Sequence, residues 1–115
     1  MRDDINRYLP LSESTYYVLL ALLEPLHGYG VMQKVGQLSE GAVTVGPGTL
    51  YGALSTLEKD GLIAKEREEE RRKLYVLTAK GRRVLAAQVE RLAIMVRSGV
   101  RELASQDGVQ QNRGG

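Results

Sequence analysis

Residues 46–63, GPGTLYGALSTLEKDGLI, constrain the fold more tightly than any other stretch of the chain. Leu50, Leu54 and Leu57 recur at the spacing that stacks side chains on one helix face. Pro47 suits the first turn of a helix, and Gly61 suits the residue just past its end. The predicted helix therefore runs from Pro47 to about Asp60. Its other face is the unusual part. At about 100° per residue, Gly48, Thr49, Gly52, Ser55, Thr56 and Lys59 lie opposite the leucines, with Tyr51 at the margin. A solvated face is normally long and charged, because Glu, Lys, Arg and Gln favour helix, whereas each internal glycine costs about 1 kcal/mol against alanine. A face this bare lets a large partner approach the backbone. Its hydroxyls can meet phosphates or base edges, and free N–H groups at its start favour anions, although Pro47 removes one donor. A second helix packed closely on it would exploit the same features.

Around this helix the chain reads as one small unit of 115 residues, enough for a single modest core. Residues 1–11 form a loosely ordered N-terminal arm carrying Arg2, Arg7 and Tyr8. Ser12 or Ser14 caps a first helix with Tyr16, Leu19, Leu20 and Leu23 on its apolar stripe, and Pro25 closes it. His27-Gly28 is a turn, with His27 a structural residue. A second helix spans roughly Tyr29–Leu38, stopped by Gly41. Ala42-Val43-Thr44-Val45 suits one short strand or extended segment. Leu62–Arg67 and Lys73–Leu77 read as two strands, joined by the charged turn Glu68–Arg72, which lacks the Asn-Gly signal of a tight hairpin. Thr78 caps a long last helix, roughly Ala79–Ser105, and residues 106–115 form a polar, disordered tail. Three helices followed by a two-stranded ribbon is the winged variant of the helix-turn-helix. The fold class is mainly α with a small β-ribbon: a winged helix-turn-helix over 12–78, then a C-terminal helix over 79–105.

Charge and residue inventory narrow the function. Residues 1–61 carry 4 Lys/Arg and 7 Asp/Glu, whereas residues 62–115 carry 12 and 7. The basic half suits nucleic acid, or simply a solvated surface. One His and no Cys remove most nucleophile and metal schemes, and Gly46-Pro47-Gly48 leads into no Lys-Ser/Thr phosphate loop. No enzyme, cofactor or metal site is expected. The lack of cysteine suits the cytoplasm, and no apolar run is long enough for a membrane span. At the ribbon tip, Arg71, Arg72 and Lys73 can straddle a phosphate backbone, while Glu68, Glu69 and Glu70 are expected to turn back and pair with the arginines. On the last helix, Leu85, Val89, Leu92, Val96, Val100 and Leu103 form a stripe with Gly99 breaking it. So long a helix has more apolar face than this small domain can cover, which predicts a two-fold homodimer together with packing on the first helix of the same chain.

Taken together, three motifs resemble the PadR family of bacterial transcriptional regulators. They are His27-Gly28-Tyr29-Gly30; Gly48-Thr49-Leu50-Tyr51 with Leu54, Leu57-Glu58 and Gly61-Leu62-Ile63; and Arg71 through Gly81. The resemblance covers about residues 12–105 and is to the smaller branch with a single C-terminal helix. It implies a homodimeric, ligand-responsive repressor on a palindromic operator. The third helix lies in the major groove, the ribbon is the wing and the last helix dimerises. The expected partner is double-stranded DNA, met by Pro47, Gly48, Thr49, Tyr51, Gly52, Ser55, Lys59, Arg71, Arg72 and Lys73. The family often has proline where Gly52 stands and a basic residue where Thr56 stands, so phosphate contact shifts toward the wing and the arm. Some small members hold flat apolar drugs between the last helices by tryptophan stacking. This chain has neither Trp nor Phe, leaving Tyr8, Tyr16, Tyr17, Ile94 and Met95 as substitutes, and the small-molecule effector stays unidentified. The alternative function is a winged-helix protein-interaction module without DNA readout.

Overall fold

Ser12, not Ser14, starts the first helix: its hydroxyl accepts the Thr15 N–H at 3.1 Å, and α1 spans Glu13–Ala21. The computed structural model describes residues 4–114. α2 (Gly28–Leu38) and α3 (Pro47–Lys59) follow, then an antiparallel hairpin of β1 (Ile63–Glu69) and β2 (Arg72–Leu77), and α4 (Ala79–Gly114). Val18, Leu19 and Leu22 of the first helical segment, Val31 and Val35 of α2, and Leu50, Leu54 and Leu57 of α3 are buried together with Ile63, Leu77 and Val84. The three helices thus share one core, and the leucine face of α3 is its inner face. This is the winged helix-turn-helix with a long C-terminal helix.

Four expectations are revised. Residues 42–45 form no strand; β-branched residues favour a sheet only where a partner is at hand, and here Val45 is buried in the core from an irregular loop. The ribbon's extra neighbour is Leu26 instead. Its N–H donates to the Tyr75 carbonyl at 3.0 Å and its carbonyl accepts the Tyr75 N–H at 2.9 Å. The charged turn shrinks to Glu70-Arg71, flanked by the pair Glu69 and Arg72. Both turn residues have positive φ, 48° and 68°, as a two-residue hairpin of matching twist requires. The N-terminal segment is docked rather than loose over its described part: Ile5–Tyr8 form a 3-10 turn, and Lys80 Nζ donates to Tyr8 Oη at 2.9 Å. Arg2 lies outside the described residues. Finally, α4 does not stop at Ser105 but continues to Gly114, because 106–114 contain no proline and the internal Gly108 costs too little to end a helix.

Two junctions fix how α3, the wing and α4 are held. Gly61 has φ of +78°, a conformation open to glycine at little cost, and it turns the chain from α3 into β1. Thr78 Oγ1 donates to the Gly61 carbonyl at 2.6 Å and accepts the Gly81 N–H at 3.0 Å. That one hydroxyl caps α4 and ties it to the end of α3. Gly81 sits so close that a Cβ there would collide with the Leu62 carbonyl oxygen and lie 2.8 Å from Leu77 Cδ1.

Candidate nucleic-acid interface

The outward face of α3 is as bare as its sequence implies. Pro47, Gly48, Thr49, Tyr51, Gly52, Ser55, Thr56 and Lys59 are all exposed. A Cβ added at Gly46, Gly48 or Gly52 would meet nothing within 4 Å. These glycines therefore answer to no internal packing. Gly46 is the extended N-cap while Gly48 and Gly52 lie in the helix, and none of the three has positive φ, so no turn requires them either. What they provide is room outside the molecule.

The wing stands beside this face. Arg71, Arg72 and Lys73 are exposed at its tip. The carboxylates do not turn back on Arg71 and Arg72 as expected. Arg67 takes two of them, with Nε donating to Glu69 at 2.7 Å and Nη1 to Glu66 at 2.6 Å, and Lys65 faces Glu68 at 3.7 Å. The tight turn explains the difference. With Glu70-Arg71 as the two turn residues, the acids fall on β1 beside Arg67 while the cations fall at the tip and on β2. Among the described residues no carboxylate pairs with Arg71, Arg72 or Lys73. Deeper in the wing, burial first and then the nearby Glu58 carboxylate push the Tyr75 phenol above its ordinary range. Tyr75 is a neutral anchor of the ribbon, not part of the surface.

Between the wing and the helices lies an open cleft of about 670 Å³, lined by His27, Gly28, Tyr29, Tyr51, Arg71, Arg72 and Lys73. Tyr51 reaches across to α2. A Cβ on Gly28 would lie 2.5 Å from its hydroxyl oxygen, so the small residue admits the ring. His27 caps α2, its Nδ1 accepting the Gly30 N–H at 3.4 Å, and its Nε2 lies 3.4 Å from Arg72 Nη1. Tyr29 and the side chain of His27 were absent from the sequence-based site. The chain separates His27 from Arg72 by 45 residues, and only the hairpin's fold-back brings them together.

The stripe on α4 divides in two. Leu85 is 5% exposed and lies in the chain's own core, so it is removed from the expected dimer seam: the first turns of α4 lie against the domain. Leu92 is half-buried, near Tyr16 and Tyr17 of α1. Val89 is exposed, and Val96, Val100 and Leu103 are 63–69% exposed, as are Ile94 and Met95 to a similar degree. No helix among the described residues is long and apolar enough to cross a membrane.

Comparison with known proteins bears on what this surface is. Residues 7–87 match the model of the transcriptional regulator PadR-like family. A 37.1 kDa protein of transposon TN4556 from Streptomyces fradiae is 36% identical over 83 residues, which is 71% of this chain and 24% of that relative. The chain thus spans about a quarter of that relative's length. Among solved structures, a PadR family transcription regulator from Clostridium difficile superposes with a TM-score of 0.67 at 22% identity, covering 80% of this chain and 99% of that one. A DNA-binding protein from Sulfolobus solfataricus gives 0.64 at 19%, covering 91% and 95%. BpsR of Bordetella bronchiseptica, whose DNA binding is regulated by 6-hydroxynicotinic acid, gives 0.62 at 20%, covering 82% and 67%. At these identities the structures support the shared fold.

Proposed function

The chain belongs to the transcriptional regulator PadR-like family, whose members bind DNA and are not enzymes, and from that premise we propose a sequence-specific repressor that grips a palindromic operator as a homodimer. The observation that carries this reading is the exposed face of α3, cleared of bulk and free of packing constraints, standing beside three wing cations without carboxylate partners. In the reading, Gly48 and Gly52 let the backbone of α3 settle into the major groove. Thr49 and Ser55 then reach base edges, with Pro47, Tyr51 and Lys59 at the margins. Arg71, Arg72 and Lys73 hold the phosphate backbone and carry no sequence information.

The dimer in this proposal forms through α4. Val89, Val96, Val100 and Leu103, together with Ile94 and Met95, leave on one helix more apolar surface than a lone soluble helix normally exposes. A two-fold pairing would present two copies of α3 to two half-sites, which is why the operator is proposed as a palindrome. Repression, action in the cytoplasm and response to a small molecule belong to the same proposal. The ligand-regulated DNA binding of the structurally similar BpsR supports the last of these.

Selection of bound sequences from a random pool of duplex DNA tests the reading. Enrichment of a palindrome supports it, and the half-site spacing measures the separation of the two α3 helices. Absence of enrichment from the folded protein favours a winged helix whose bare face docks on protein.

A further inference from the structure

Within the cleft, two hydrogen-bond donors face each other with no acceptor between them. His27 Nδ1 accepts the Gly30 N–H, and in the tautomer that caps the helix this way Nε2 carries the ring proton. That nitrogen points toward Arg72 Nη1 at 3.4 Å, and a guanidinium only donates. In that tautomer the contact is not a completed hydrogen bond. It is a pair of donors waiting for a shared acceptor. Arg71 and Lys73 add positive charge to the same opening. Tyr51 brings its hydroxyl over Gly28, and Tyr29 and Tyr51 stand on the rim with 59% and 55% of their surface exposed. The backbone N–H groups of Gly28 and Tyr29, in the first turn of α2, have no acceptor inside the helix. Glu69 and Glu70 line a neighbouring opening together with His27 and Arg72, and Glu69 is already engaged by Arg67.

We infer that this cleft seats one backbone phosphate of bound DNA, a non-bridging oxygen accepting from both His27 Nε2 and Arg72. The inference rests on the DNA-binding reading and adds to it a contact from the start of α2. An anion of this kind satisfies both donors, neutralises part of the local charge and lies where the start of α2 favours negative charge. It would also lock the wing to α2 at the moment of binding, fixing the wing's angle to α3. His27 is then a phosphate ligand as well as the cap of its helix.

The two roles separate by substitution. Asparagine and serine are good N-caps, so His27→Asn and His27→Ser keep the start of α2 while being too short to meet Arg72. Binding of a labelled random-sequence duplex of about 30 base pairs is followed by fluorescence anisotropy over a range of NaCl. Both His27 variants are expected to melt at the parent's temperature and to bind on the order of tenfold more weakly, the loss of one hydrogen bond to a charged group. Arg72→Gln, on the exposed wing, should flatten the log–log salt slope by about 0.9, one phosphate's worth. Because both residues serve one phosphate, His27→Asn added to Arg72→Gln should cost much less than tenfold further. Parent-like binding by folded His27→Asn, or losses that multiply in the double variant, would overturn the shared phosphate and leave the DNA reading standing. A parent that binds no duplex would overturn both. Inorganic phosphate should displace DNA no better than chloride at equal ionic strength; stronger displacement would assign the cleft to a free anion instead.

Discussion

Replacing Gly52 with glutamine separates the stability of α3 from its proposed task. Gly52 lies in the middle of Pro47–Lys59, is exposed, and a Cβ there meets nothing within 4 Å. Glutamine is a good helix former and glycine a poor one, so Gly52→Gln should stabilise the folded protein by roughly 0.5–1 kcal/mol. No packing cost opposes that gain. On DNA the sign reverses. The new side chain projects from the face proposed to enter the groove, holds α3 away from the base edges, and removes contacts worth about 1–3 kcal/mol each. Losing even two of them weakens the selected site about 30-fold or more, while the salt-dependent grip of the wing on arbitrary sequence persists. Urea unfolding at one fixed protein concentration reads the first effect, and anisotropy on selected and unrelated duplexes reads the second. A variant that is more stable yet binds the selected site like its parent would refute the docking of this face. A variant that is markedly less stable would show that the face is not free of packing.

Three further outcomes are expected. Thr49→Ala and Ser55→Ala should alter the preferred base at one operator position more than overall affinity, read by repeating the selection. Val96→Glu should convert the proposed dimer to monomer in analytical ultracentrifugation, because a carboxylate would be buried unpaired in the proposed α4 seam; an intact dimer would refute that seam. Gly81→Ala should destabilise the fold by about 1–3 kcal/mol in urea, since its Cβ would strike the Leu62 carbonyl and α4 must shift away from β1.

The element order was legible because each helix announces itself locally. Leu50, Leu54 and Leu57 share one face, Ser12 and Thr78 sit where caps are needed, and Gly61 sits where the chain must turn. The bare face of α3 was legible for the same reason, since a helical wheel needs only spacing. What escaped depends on partners distant in sequence. The Leu26–Tyr75 bridge joins two short stretches with no shared pattern, whereas the β-branched run 42–45 carries a local extended signal but finds no strand partner. The acid partners were misassigned because a charge run does not state its turn. Once Glu70-Arg71 takes both positive-φ positions, Glu66 and Glu69 fall beside Arg67. Leu85 and Val96 lie on one stripe of α4, and periodicity alone cannot tell that the first faces the domain while the second faces out. His27 is structural, but as the extended N-cap of α2, which begins at Gly28, rather than as a turn residue. Its second face becomes visible only when the hairpin returns Arg72 to it.

The most direct test of the central claim is methylation interference on a selected duplex. Dimethyl sulfate modifies guanine N7, which lies on the floor of the major groove. If α3 lies there with its bare face inward, methylation at guanines within each half-site will block binding. Gly52→Gln will abolish that pattern while leaving non-specific binding in place. A selected duplex that binds equally well when every guanine N7 is methylated would contradict the account.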